Sequence, residues 1–126
     1  MNIPKTHQAV MPYLIVNDAF KLIDFTKKVF NAELTYHQLR DDKDDKRVRH
    51  AELQINGATI MLADATDQWT QQTANLFIYV DDADSTYKEA LENGATSLME
   101  LSDQDYGRTC GITDPVGNVW WITSVK

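Results

Sequence analysis

The sequence predicts an α+β fold: two βαβββ modules whose strands form a curved mixed sheet around a cleft, with the helices on its outer face. Three observations predict it. Val16-Asn17-Asp18-Ala19 is echoed 64 residues later by Val80-Asp81-Asp82-Ala83, which suggests two copies of one supersecondary unit. After each echo the apolar spacing changes from period two to the helical period. Turn-forming pairs such as Asn56-Gly57 and Asp114-Pro115 then separate the strands.

In the first module, Met11 to Val16 reads as a strand, and the carboxylate of Asp18 caps the helix that follows. Leu22, Ile23, Phe25, Val29 and Phe30 make one apolar stripe, and Asn31 suits a left-handed stop. Glu33 to Leu39 and Arg47 to Ile55 read as strands joined by a charged loop, Asp41 to Lys46, whose alternating signs suggest a solvated hairpin tip. Asn56-Gly57 turns the chain into a fourth strand, Ala58 to Ala63.

The second module repeats the order. Asn75 to Val80 is a strand, Asp82 or Asp84 caps a helix carrying Ala83, Tyr87, Ala90 and Leu91, and Gly94 ends it. Short strands follow near Thr96 to Leu101 and Thr109 to Thr113. Asp114-Pro115-Val116-Gly117 reads as a type I turn, and Val119 to Val125 is the last strand. The reading is one domain over 1–126, with module one about 8–64, a linker at 65–73 containing Trp69, and module two about 74–126.

Composition narrows the function classes. The net charge is -7 and the pI about 4.7, which argues against nucleic acids and anionic membranes and tolerates a neutral or cationic ligand. Cys110 is the only cysteine, so no internal disulfide forms, and a buried inert thiol is favoured over a nucleophile. No apolar run is long enough to span a bilayer, and the N-terminus lacks a cleavage pattern, so a cytoplasmic location is expected.

Strand parity separates two faces. Leu14, Val16, Leu53, Ile55, Ile60, Leu62, Leu76, Ile78, Val80, Trp120 and Ile122 form the aliphatic set expected to meet the helices. Met11, Tyr13, His50, Glu52, Gln54, Thr59, Met61, Asn75, Phe77, Tyr79, Val119 and Trp121 form the opposite set. Its mixture of aromatic, Met and polar groups fits a ligand pocket, a dimer interface or a half-solvated sheet.

On these residues the chain resembles the vicinal oxygen chelate superfamily of glyoxalase, bleomycin-resistance and dioxygenase proteins. PYLIVNDAFKLIDFTKKVFNAEL resembles the first strand and helix, HAELQINGATIMLAD the strand pair ending module one, and DPVGNVWWIT the closing hairpin. HAEL with the late DP and W.I pattern is particularly similar to the PhnB-like branch. The resemblance covers nearly the whole chain and implies paired modules, homodimers and a site in a cleft between modules.

Metal-dependent members of that superfamily place four ligands on the first and last strands of the modules. The matching positions here are Met11, Met61, Asn75 and Trp121, a poor donor set for a hard or borderline divalent ion. No metal and no cofactor are therefore expected. Other candidates stand nearby. His50 and Glu52 share a strand face and suit general-base chemistry, or else His50 simply bonds across the sheet while Glu52 faces water. His7 shares parity with Met11, and a His7, His50 and Glu52 metal site is the alternative.

The remaining marked residues carry weaker signals. Trp69 suits either a cover over the cleft or a surface anchor, Arg108 either an acidic ligand or a solvated strand end, and His37 is expected to be exposed. Three functions follow. The first is a bleomycin-resistance-like protein that binds a planar or cationic small molecule among Met11, Tyr13, His50, Glu52, Met61, Asn75, Phe77, Tyr79 and Trp121. The second is a lyase, isomerase or dioxygenase-type enzyme using His50 and Glu52 or a displaced metal site. The third is a partner module whose cleft is closed by its own side chains.

Overall fold

The computed structural model of the chain describes residues 1–41 and 44–125. Ten elements follow in the order β1 (Tyr13–Val16), α1 (Ala19–Phe30), β2 (Glu33–Asp41), β3 (Asp44–Ile55), β4 (Ala58–Asp64), β5 (Asn75–Tyr79), α2 (Ala83–Glu92), β6 (Thr96–Gln104), β7 (Gly107–Thr113) and β8 (Val119–Ser124). The α+β class and the two βαβββ modules are as expected. The strands make two separate four-stranded sheets, ordered β1-β4-β3-β2 and β5-β8-β7-β6. The first and fourth strands of each module pair parallel and the other neighbours antiparallel, so the echoed sequence folds into an echoed topology.

Local chemistry places both helices. Asp18 accepts from the Lys21 N–H at 3.2 Å, and buried Asp64 takes the Ala19 N–H at 2.9 Å, so two carboxylates serve the donors at the start of α1. Asn31 ends α1 in the left-handed region at φ 56°. Leu22, Ile23, Phe25, Val29 and Phe30 are all buried, and each such side chain contributes roughly 1.5–3 kcal/mol on leaving water. In α2, Asp82 accepts from the Asp84 N–H, and Gly94 adopts φ 98° just past the helix, where the Ala95 N–H closes on the Ala90 carbonyl.

Parity sorts the strand faces as expected. Leu14, Val16, Leu53, Ile55, Ile60, Leu62, Trp120 and Ile122 are buried, and Leu76, Ile78 and Val80 pack against the same core. Helix α1 covers the first sheet and α2 the second. The modules meet through α1 against α2, with the Phe30 ring 4.6 Å from the Trp120 ring centroid. The opposite faces of both sheets are therefore covered by neither helix.

Several boundaries differ from the sequence reading. β1 begins at Tyr13, so Met11 precedes it. The expected charged loop is largely strand: Asp41 ends β2 and Asp44 opens β3, because backbone pairing continues as far as Asp41 opposite Asp44, while Asp42 and Lys43 lie outside the described residues. β6 and β7 are longer than expected and meet at a turn around Asp105 and Tyr106. Thr59 is buried although its parity points to the open face, because the N-terminal segment lies over it: Gln8 bonds its backbone on both sides, and its hydroxyl donates to the Thr6 carbonyl.

Among the described residues no helix is long and apolar enough to cross a membrane.

Candidate functional site

The first open face carries a row across four strands, with Tyr13 beside Met61, Met61 beside Glu52 and Glu52 beside Tyr36. Glu52 is the centre of a chain of hydrogen bonds. Its two carboxylate oxygens are 2.8 Å from His7 Nε2 and 2.8 Å from His50 Nε2, and His50 Nδ1 is 2.9 Å from the Tyr13 hydroxyl. An ionised carboxylate only accepts, so both Nε2 atoms donate; whenever His50 is in its neutral form, its Nδ1 is then bare and takes the Tyr13 O–H. The Tyr13 and His50 rings also stack, with centroids 5.5 Å apart.

Burial pushes the Glu52 carboxyl up, but the hydrogen bonds and positive charge of His7 and His50 outweigh it, and its pKa lies below the ordinary value. For Tyr13, burial dominates: it raises the phenol above its ordinary value against the field of Arg40, with the Glu52 charge adding to the rise. Both phenol and carboxylate thus keep their usual neutral-pH forms. The expectation that Glu52 faces water is corrected, because its side chain is only 13 % exposed between two imidazoles.

The second open face carries a different group. Asn75 opens β5, Phe77 lies beside Trp121 in register, and the Phe77 and Tyr79 rings are 5.2 Å apart. Trp121 Nε1 donates to Asn75 Oδ1 at 3.3 Å. The indole lies over Gly111, where a Cβ would stand only 2.5 Å from the ring, so the glycine is what lets Trp121 lie down on the sheet. Phe77 and Tyr79 remain 51 % and 61 % exposed.

The nine predicted site residues therefore fall into two groups. Tyr13, His50, Glu52 and Met61 come together on the first sheet with half-buried Met11 just ahead of it, and Asn75, Phe77, Tyr79 and Trp121 come together on the second. They do not line one cleft within the chain, because the modules pack through their helices.

Met11, Met61, Asn75 and Trp121, the positions the resemblance pointed to as metal ligands, do not fit a metal here. Two are thioethers, the indole nitrogen of Trp121 has no free lone pair, and the Asn75 oxygen already accepts from it. Among the described residues no group of three or more His, Cys, Asp or Glu is placed to hold a metal ion. In the His7, Glu52 and His50 line the imidazole nitrogens face carboxylate oxygens, an arrangement suited to moving or holding a proton.

A pocket of about 770 Å³ opens beside Tyr13. Ile15, Ala63, Asp64, the turn from Thr66 to Trp69, and Arg40 and Arg49 line it. The turn is closed by the Thr66 N–H donating to the Trp69 carbonyl and the Trp69 N–H donating to the Thr66 hydroxyl. Sequence reading missed both arginines, although it marked Trp69. The signal was present: counting back from Ala51, strict alternation would send Arg49 into the core and Val48 outward, and a charged residue at a core position marks a bulge.

Other marked residues are accounted for by structure. Arg108 forms a two-point pair with Asp84 at 2.9 and 3.3 Å and reaches Asp103 at 3.5 Å, which makes it part of the acidic end of the second sheet. Cys110 is buried, and burial pushes its thiol to about 11. His37 is exposed beside Phe20. Asp114 of the closing hairpin is buried and accepts four hydrogen bonds, from the N–H groups of Val116 and Asn118, from Asn118 Nδ2 and from Trp120 Nε1, so that motif is structural.

Comparisons with known proteins agree with the topology. An uncharacterised protein of Mycobacterium bovis is 35 % identical over 125 residues, covering 89 % of this chain and 80 % of that protein. Among solved structures, a PhnB protein from Bacillus cereus superposes with a TM-score of 0.72 at 18 % identity, over 94 % of this chain and 100 % of that one. The bleomycin-binding protein of Streptomyces verticillus, solved with copper(II)-bleomycin, gives 0.63 at 16 % identity, over 94 % and 97 % of the two chains. At these identities the two solved structures show a shared fold. The family model of the Glyoxalase/Bleomycin resistance protein/Dioxygenase superfamily matches residues 6–122, and the chain belongs to that superfamily.

Proposed function

We propose that the chain is a small-molecule-binding protein of the bleomycin-resistance type that holds a planar organic ligand against its open sheet faces without a metal. The observation that carries this reading is the second open face. There the indole of Trp121 is fixed on Asn75 and Gly111 and presents aromatic surface next to Phe77 and Tyr79, where a metal-binding relative needs donors. Stacking on such rings contributes about 1 kcal/mol per contact beyond burial. The bleomycin-binding relative supports a ligand of that kind.

Exposed aromatic groups on both open faces also support a homodimer in which a second copy completes each cleft. One cysteine, buried and unpaired, suits a reducing compartment such as the cytoplasm. The test is a titration of the metal-stripped protein with planar aromatic compounds, read by calorimetry and by the indole N–H resonances. Saturable binding that survives chelator supports the reading; binding that appears only when a divalent ion is restored refutes it.

The Tyr13, His50, Glu52 and His7 chain favours a second reading, a lyase or isomerase. In it the Tyr13 oxygen takes a proton from the ligand while passing its own to His50 Nδ1, and Glu52 stabilises the imidazolium that forms. Any turnover found should fall by roughly 100-fold or more in His50→Ala. Turnover unchanged in that variant removes this reading.

A further inference from the structure

We propose that the corner between Arg40, Arg49 and Trp69 on the first open face binds the acidic group of the ligand, a carboxylate or phosphoryl oxyanion attached to a planar body. This rests on the small-molecule reading above and gives the ligand a charge.

A β-bulge makes the corner. The pairing passes from Gln38 opposite His50 to Leu39 opposite Val48, so β3 advances two residues for one on β2 and Arg49 is the extra residue. Val48 is fully buried, whereas Arg49 is exposed and lines the pocket. Among the described residues its guanidinium has no hydrogen bond or ion pair.

Arg40 is held differently. Its Nη2 donates to the Asp64 carbonyl at 2.9 Å and more weakly to the Val48 carbonyl at 3.4 Å, so the side chain is anchored and its other N–H groups are left without a partner among the described residues. Both arginines line one pocket, one anchored and one without a partner among the described residues, and each guanidinium carries the planar fork of N–H donors that recognises an oxyanion.

Asp64 and Asp67 line the same pocket, and neither forms an ion pair with the arginines among the described residues. Asp64 directs one oxygen to the Ala19 N–H and the other to the Val48 N–H. Glu52 is held between His7 and His50. A neighbouring depression lined by Arg40 and Asp67 adds Arg47. The lining pairs two guanidinium groups with two carboxylates, so the corner is balanced where the whole chain carries -7, and the unpartnered guanidinium N–H groups are what it offers a ligand. Tyr13 and Trp69 line the same pocket and supply aromatic surface for a planar body.

Isotope-labelled protein is titrated with naphthoate, naphthamide and naphthylmethylamine at neutral pH. The Trp69 indole N–H is followed, identified by its loss in W69F. Naphthoate should shift that resonance with a Kd at least roughly tenfold below that of naphthamide, the gain expected of a charge-assisted contact, and the amine should bind most weakly. Arg49→Gln, at an exposed side chain with no bonds to lose, should bring naphthoate to the level of naphthamide and leave naphthamide unchanged; Arg49→Lys should keep part of the preference. Equal affinities for acid and amide, tighter binding of the amine, or a preference that persists in Arg49→Gln would each overturn the anion corner while leaving the planar-ligand reading standing. If none of the three compounds perturbs Trp69 or Trp121, that reading falls and the corner with it.

Discussion

Replacing Asp114 by alanine should be among the most damaging single changes in the chain, although the residue touches no candidate ligand. Its Oδ1 takes the backbone N–H groups of Val116 at 2.9 Å and Asn118 at 3.0 Å, and its Oδ2 takes Asn118 Nδ2 at 3.0 Å and Trp120 Nε1 at 2.8 Å. Val116, Asn118 and Trp120 are themselves buried, so water cannot easily replace the lost acceptor. A buried donor left without a partner costs about 1–3 kcal/mol. With four donors, and some relaxation of the turn, Asp114→Ala should lose roughly 3–6 kcal/mol, or a fall in Tm on the order of 10–20 °C. Asp114→Asn should lie between, at roughly 2–4 kcal/mol: its oxygen can still serve the two backbone N–H groups, but its NH₂ would face the donors of Asn118 and Trp120. Urea unfolding followed by tryptophan fluorescence and circular dichroism measures both. A loss below about 1 kcal/mol for Asp114→Ala would refute the claim that this carboxylate organises the closing hairpin.

Two further outcomes follow from the same geometry. The Glu52 pKa in the folded chain lies below its ordinary value of 4.5, so the stability it contributes is present above that pH and is lost as the pH falls through the folded value. Glu52→Gln should accordingly flatten the acid side of the urea-midpoint profile between about pH 5 and 3, and a variant profile parallel to the wild type would show that the two histidines do not hold the carboxylate. Gly111→Ala would set a methyl 2.5 Å from the Trp121 ring and force it off the sheet; the Trp121 indole N–H resonance should move and stability fall by roughly 1–3 kcal/mol, whereas an unshifted resonance would mean the ring is not seated on the glycine.

Much of the fold is legible in the residues themselves, because its rules are local. Asp18 and Asn31 bracket the first helix, Asn56-Gly57 makes a left-handed turn at φ 49° and 87°, and period-two alternation separates Leu53 and Leu62 from Glu52 and Met61. The superfamily follows from fragments such as DPVGNVWWIT, whose Asp and first Trp are tied together by a buried hydrogen bond rather than by shared chemistry.

Of the candidate site, sequence alone determined which types of side chain share a sheet face: Tyr13 with Met61, His50 with Glu52, and Phe77 with Trp121. Alternation splits each strand into two sets, and the aliphatic set of each strand marks the side that meets the helices, so the other sets share a face. Only the tertiary structure decided what those side chains do together. Tyr13 and His50 meet across 37 residues and His7 and Glu52 across 45, separations that no local rule spans. The bulge that turns Arg49 outward depends on how β2 pairs with β3, and packing through α1 and α2 leaves both aromatic faces open within one chain. Local preference is fixed residue by residue, but register and packing are settled by the free energy of the whole chain, and the positions of His7, Arg40 and Arg49 belong to that second level.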